Sequence, residues 1–129
     1  MNDGQEIDNA VAVIHPAHHG RILAVIKLLH SAVWLFMAAF ILLIPFAALD
    51  GHFQISAVLI GVVLIECAVL AINGGKCPLT SIAARYTEDR ADNFDICLPM
   101  WLARYNKAIF GTLFVCGSAF ALLRWLVAK

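Results

Sequence analysis

Six side chains capable of acid–base, thiol or ligand-binding chemistry lie within or beside long apolar stretches of this sequence. Imidazole, carboxylate and thiolate groups bind metal ions or haem, relay protons and hold small polar ligands. A carboxylate inside such a stretch is the least expected of them, because burying its charge is costly without a partner. The candidate site residues are Lys27, His30, Glu66, Cys77, Thr80 and Cys116.

Three apolar stretches are long enough to carry these side chains on membrane-spanning helices, each of which needs about 20 mostly apolar residues. The chain is 62% hydrophobic and 14% charged, whereas soluble domains average about 25% charged residues. The sequence therefore predicts an all-α fold with three transmembrane helices, at about 22–49, 53–72 and 108–127, in a single integral membrane domain covering residues 1–129.

The predicted spans bring three of the candidate side chains to a similar depth. With a rise of about 1.5 Å per residue, His30 and Cys116 lie roughly 12 Å from the membrane boundary near residue 73, and Glu66 lies roughly 9 Å from it. This common depth indicates a polar layer across the bundle.

The short connection at residues 50–52 predicts that the first two spans pack antiparallel. A buried carboxylate then needs a partner close to its own depth. We therefore expect Glu66 to point into the bundle, within hydrogen-bonding reach of His30, Lys27 or a polar group of the third span such as Thr112. Gly61 on the second span is a candidate for close approach between helices.

The polar layer has two interpretations, and the sequence leaves both open. In the structural one, Glu66 pairs with His30 or Lys27 and only fixes the helix register. In the functional one, the layer relays protons or binds a metal, haem or small polar ligand. Ionisable residues at membrane depth favour function by default.

The segment after the second span returns to the membrane surface. Gly74 and Gly75 end the helix, and Pro78 suits the first position of another. Apolar residues then recur at helical spacing, which predicts an amphipathic interfacial segment over 78–106, interrupted by a charged loop at 87–93.

Cys77 precedes this helix start and also has two interpretations. A helix N-terminus lowers the pKa of a thiol and makes it reactive. The alternative is a small residue that packs at the membrane surface.

Residues 1–20 are polar and then mixed, which predicts a loose segment ending at Gly20. Its histidines, His15, His18 and His19, have a spacing compatible with a metal site or with a solvated segment next to the membrane.

Basic residues are distributed unequally between the two sides of the predicted bundle. The side with the N-terminus and residues 73–107 is predicted to be cytoplasmic, because basic residues concentrate on that side of a membrane. The basic residues on the predicted cytoplasmic side are Arg21, Lys76, Arg85, Arg90, Arg104 and Lys107.

The net charge of the chain bears on its partners. Nine basic and nine acidic residues balance, which excludes the electrostatic surface typical of nucleic-acid binding. The lipid bilayer is the expected partner, and a membrane-protein partner or a second copy of the chain stays open.

Several short motifs resemble a family of small, uncharacterised bacterial membrane proteins with three spans. The pair Leu29-His30, the pair Ile65-Glu66, the box Cys77-Pro78-Leu79-Thr80 and the later Leu98-Pro99 occur in the order seen in that family. The chain departs from it at Ser81, near which the family carries an acidic residue. The resemblance implies three spans and the bacterial inner membrane, and it implies no activity.

Two classes of function follow from these residues. The first is a non-enzymatic membrane module with a structural polar layer that binds a partner. The second is a membrane redox, metal-, haem- or ligand-binding protein that uses His30, Glu66 and the cysteines. The residues alone identify neither a cofactor nor a catalytic group.

Overall fold

Three long helices form the body of the protein. The computed structural model describes the backbone of residues 3–129 and the side chains from residue 18 onward. The elements are α1 (Asp3–Leu49), α2 (Phe53–Ile72), the short α3 (Pro78–Ala83) and α4 (Met100–Val127). The predicted all-α fold is confirmed.

Each of the three long helices contains a stretch long and apolar enough to cross a membrane. These stretches are His18–Leu49, Phe53–Ile72 and Met100–Val127, and an 18-residue window within each has a mean hydropathy of 2.5, 2.7 and 1.7, respectively. Many large apolar side chains remain exposed along them, such as Leu35 and Leu64. A soluble protein would bury most of these groups, whereas lipid solvates them, so this is a small integral membrane protein.

The helix boundaries differ from those predicted at both ends of the chain. The backbone of α1 continues through residue 20, so the predicted loose segment ending at Gly20 is wrong. A glycine costs a helix only about 1 kcal/mol relative to alanine, which is too little to end one with helix on both sides. The helix of the third span starts at Met100, directly after Pro99. Within the predicted interfacial segment, 78–106, the helical residues are the six of α3 and residues 100–106 at the start of α4.

The central element is α1, which contacts α2, α3 and α4, while α2 and α4 share a smaller contact. Gly51 turns the chain between α1 and α2 with a φ of 78°, a conformation that glycine adopts without strain. Arg124 Nη2 donates a hydrogen bond to the carbonyl oxygen of Leu49 at 3.1 Å. This bond partners one of the four carbonyl groups that every helix leaves free at its C-terminus.

The bundle is most tightly packed beside this turn, in a region we call the turn end. Its fully buried residues are Ile44 and Ala48, and Ala121 of α4 completes the cluster. A Cβ added to Gly117 would lie 3.4 Å from Pro45 Cδ, so α4 approaches α1 closely there. One added to Gly61 would meet no atom within 4 Å, so the predicted close approach at Gly61 is wrong.

Candidate functional site

At the opposite end, the helices separate and enclose a cleft of about 970 Å³. The segment that joins α2 to α4, residues 73–99, lies over it, and we call this the cover segment. Apolar side chains from the spans line the deeper part of the cleft, and polar side chains line the part near the cover segment. The first group includes Val33, Met37, Ile41, Val63 and Phe114, and the second includes His30, Glu66, Thr80, Asp95, Arg104 and Lys107.

The polar contacts of this end centre on Asp95 of the cover segment, which is only 5% exposed. Its Oδ2 accepts a hydrogen bond from Thr80 Oγ1 and lies 3.2 Å from His30 Nδ1. The same ring nitrogen lies 3.2 Å from the Asp95 carbonyl oxygen. One buried carboxylate thus connects two parts of the cover segment, α3 and residue 95, with each other and with α1.

The protonation of Asp95 follows from these contacts. Partial burial acts to raise the pKa of a carboxyl group, but the hydrogen bonds from His30 and Thr80 and the charge of His30 outweigh it. The pKa of Asp95 is therefore held below its usual range. The carboxylate stays ionised at neutral pH and keeps accepting both hydrogen bonds.

A second attachment lies one residue along α1. The Cys97 backbone N–H donates to Ser31 Oγ at 2.8 Å, and Ser31 Oγ donates to the Lys27 carbonyl oxygen at 2.7 Å. A turn further on, Trp34 Nε1 donates to Asn106 Oδ1 at 2.7 Å. The polar stripe of α1 therefore contacts protein, which is how polar groups at membrane depth avoid unsatisfied hydrogen bonds.

The rim of the cleft carries looser contacts. Lys107 Nζ donates to the Gly75 carbonyl oxygen, and Arg104 Nε pairs with Asp92 Oδ2 at 2.7 Å with both side chains exposed. Exposed ion pairs contribute little stability. Asp95 is therefore the principal attachment of the cover segment, and these rim contacts are secondary.

Glu66 lines the cleft but lacks the partner predicted for it. In the part of the chain that the structure describes, Glu66 is half-buried and makes no hydrogen bond or ion pair. His30 pairs with Asp95 instead, and Thr112 Oγ1 donates to the Ala108 carbonyl oxygen. The predicted contact of Glu66 with His30, Lys27 or a polar group of the third span such as Thr112 is wrong, and His30 pairs with Asp95, a buried acid that the prediction did not include.

Cys77 also lines the cleft, directly before α3. Desolvation by burial raises the pKa of the Cys77 thiol, and the negative charges of Glu66 and Asp95 raise it further, against the backbone N–H groups of Leu79 and Thr80. A thiol with a raised pKa is a poor nucleophile. The structure favours the second interpretation of Cys77, a packed residue rather than a reactive one.

Two of the predicted site residues lie away from this cleft. Cys116 is exposed and lines a separate shallow groove with Thr112 and Val115. Depth along a helix does not determine which way its side chains point, and the cleft lining includes His30 and Glu66 but not Cys116. Lys27 is half-buried and is not part of the cleft lining. The cleft brings together His30, Glu66, Cys77 and Thr80.

Among the described side chains, no group of three or more His, Cys, Asp or Glu residues is arranged to hold a metal ion. Of the histidines proposed from spacing, His15 lies outside the described side chains. The ring of His19 contacts the edge of the Tyr86 ring, with centroids 5.4 Å apart.

Asp95 is the site residue that sequence reasoning missed. Asp95 comes two residues after the charged loop at 87–93, so the sequence alone suggests that it is another exposed loop acid. The available signal was its flanks, because Phe94 and Ile96 are apolar whereas Asp89 and Asp92 stand among polar residues. An acid between two apolar residues is a candidate for burial with a partner.

Comparison of the chain with known protein families, with curated proteins and with solved structures finds no match.

Proposed function

We propose that this protein is a non-enzymatic membrane module that binds a small amphipathic molecule in the cleft beneath the cover segment. The observation that carries this proposal is the cleft itself. Its volume of about 970 Å³ lies within the range of about 300–1,000 Å³ typical of small-molecule sites. Its apolar depth and polar rim match a molecule with a hydrocarbon part and a polar group.

The protonation of the Cys77 thiol and the bonding of the His30 ring support a non-enzymatic role. The raised pKa of Cys77 keeps its thiol protonated, and nucleophilic catalysis by cysteine needs the thiolate. His30 has its Nδ1 held by Asp95, and this bond fastens the cover segment to α1. We therefore assign the polar contacts around Asp95 to holding the cleft together.

Saturable binding of a neutral apolar dye, N-phenyl-1-naphthylamine, to the protein in lipid nanodiscs tests this proposal. Val63→Trp places a large ring in the cleft, whereas the matched control Leu64→Trp places it on the lipid-exposed side of α2. We expect the first variant to abolish saturable binding and the second to retain it. Equal binding by the two variants, or no saturable binding to the unmodified protein, would contradict the proposal.

We further propose that the protein lies in the bacterial inner membrane with its N-terminus and cover segment in the cytoplasm. The support is the excess of basic residues on that side. Cys97 is the suitable reporter because it is exposed, in a background with the other three cysteines changed to alanine. An impermeant maleimide added to intact cells should leave Cys97 unlabelled and should label a control His52→Cys in the opposite turn. Labelling of Cys97 from outside would reverse the orientation.

We also propose that the chain belongs with the small three-span bacterial membrane proteins that it resembles. The support is the order and spacing of Leu29-His30, Ile65-Glu66 and the Cys77–Thr80 box. Thr80 of that box bonds to Asp95, which gives the box a structural task in this chain.

A further inference from the structure

Glu66 is the one acidic group in the cleft lining whose charge the described protein leaves unbalanced. The other two acids there are paired, Asp95 with His30 and Asp92 with Arg104. Glu66 is half-buried on a membrane-spanning helix. A carboxylate at that depth is destabilising unless a cation or hydrogen-bond donor approaches it.

The basic residues of the cleft lining do not supply that cation. Arg104 bonds to Asp92, and Lys107 bonds to the Gly75 carbonyl oxygen. Arg90 donates to backbone carbonyl groups and covers the ring of Phe94. Lys76 also lines the cleft, but its side chain is exposed and makes no ion pair with Glu66. The carboxylate therefore remains available to a bound molecule.

Aromatic rings stand in the same cleft. Trp34 and Phe110 both line it, and their rings meet edge to face with centroids 5.4 Å apart. The hydrogen bond from Trp34 Nε1 to Asn106 holds the indole in one orientation. Aromatic faces attract cations, most strongly when the site is poor in water, and Trp is the best of them.

We propose that the cleft binds an amphiphilic amine, whose ammonium group pairs with Glu66 in the cleft that Trp34 also lines and whose hydrocarbon part lies against the apolar depth of the cleft. This inference rests on the proposed ligand-binding function and specifies the chemical class of the ligand. The hydrocarbon contacts come from Met37, Ile41 and Val63. A free amine and the amine-bearing headgroup of a lipid share this chemistry.

Hexylammonium, hexanol and hexanoate make a matched set of probes, equal in chain length and different in charge. The protein is placed in nanodiscs of a diglycosyl diacylglycerol, a lipid that carries neither an amine nor a net charge. Trp101→Phe and Trp125→Phe leave Trp34 as the only tryptophan, so its fluorescence reports occupation of the cleft. Glu66→Gln removes the charge while keeping side-chain size, and Glu88→Gln, in the exposed loop outside the cleft, is the control.

We expect hexylammonium to bind about tenfold more tightly than hexanol, which corresponds to about 1.4 kcal/mol. Glu66→Gln should remove that preference while hexanol binding persists, and Glu88→Gln should keep it. Adding phosphatidylethanolamine to the nanodiscs should weaken hexylammonium binding if the natural ligand is a lipid headgroup, and should leave it unchanged if the ligand is a free amine.

The outcomes separate the two proposals. Equal binding of hexylammonium and hexanol, or tighter binding of hexanoate, would overturn the amine and leave the ligand-binding function standing. An unchanged preference in Glu66→Gln would overturn the role of that carboxylate. No saturable change in Trp34 fluorescence with any of the three probes would overturn the ligand-binding function itself.

Discussion

The two ends of this bundle are built in different ways. At the turn end, small and branched side chains interlock, with Ile44 and Ala48 fully buried and Gly117 against Pro45. At the opposite end, the helices separate around a cleft, and hydrogen bonds to Asp95 hold the cover segment over it. Close packing therefore joins the helices at one end, while a single buried carboxylate organises the other.

The two ends therefore have different roles: the turn end stabilises the helix bundle, and the cleft end has the space to bind a ligand. Between membrane helices, close packing of small residues is a principal source of association, because lipid removes the hydrophobic driving force. A packed end leaves no space for a ligand. The cleft end is held by polar contacts that can be removed one at a time, so we expect local opening there without loss of the bundle.

The largest effect should come from the turn end. Gly117→Leu inserts a side chain where a single added Cβ already lies 3.4 Å from Pro45 Cδ, so α1 and α4 must separate. We expect the free energy of unfolding to fall by about 3 kcal/mol, the upper end of typical overpacking effects. Thermal unfolding in detergent measures it. Gly111→Leu is the matched control on the same helix, since no atom lies within 4 Å of a Cβ added there. Equal losses would show that α4 does not depend on close contact at Gly117.

A smaller and local effect should follow Asp95→Ala, which leaves Thr80 Oγ1 without its acceptor and leaves His30 Nδ1 only its contact with the backbone carbonyl oxygen of residue 95. Stranding buried polar groups costs about 1–3 kcal/mol, and we expect the cover segment to detach while the three spans stay folded. The rate at which a maleimide labels Cys77, expressed per thiolate after the rate has been titrated with pH, should rise several-fold, with helical circular dichroism unchanged. Asp92→Ala, which removes only an exposed ion pair, is the control. Unchanged Cys77 labelling in Asp95→Ala would refute the attachment.

The attachment should also depend on pH in one direction. Because hydrogen bonds hold the pKa of Asp95 below its unfolded value, its contribution is fully present above about pH 4. The contribution is lost as the pH falls through the lower pKa of the folded state. The protection factors of the cover-segment amides, which are the intrinsic exchange rate at each pH divided by the observed rate, should therefore fall below about pH 4. In Asp95→Asn that acid step should be absent, and an identical step in the variant would assign it to another group.

The smallest effect concerns the contact between α1 and α4 beside the cleft. The bond from Trp34 Nε1 to Asn106 Oδ1 crosses between two membrane helices, where such bonds average about 0.6 kcal/mol. A double-mutant cycle with Trp34→Phe and Asn106→Ala should return a coupling energy of about that size. A value near zero would mean that the two side chains do not hold each other in the membrane.

The sequence predicted the spans better than the site, and the reasons are physical. Hydropathy and length determine a transmembrane helix, so α2 was predicted at the residues where it is found. The depth argument placed His30, Glu66 and Cys116 together, but rotation about the helix axis turns Cys116 to another surface. The apolar flanks of Asp95 mark it as a candidate for burial, but they do not identify His30 as its partner, because that contact depends on how the cover segment folds back onto α1.

Native-state hydrogen exchange of the unmodified protein in nanodiscs tests the central claim most directly. Within the cover segment, residues 95–97 are attached to α1 through Asp95 and the Cys97 amide, whereas residues 88–90 are exposed. We predict that the amide of Cys97 exchanges at least tenfold more slowly than those of residues 88–90, and that Asp95→Ala reduces this difference while the bond from the Cys97 amide to Ser31 Oγ keeps part of it. Equally fast exchange across the whole cover segment in the unmodified protein would contradict the account, because nothing would then hold the segment over the cleft.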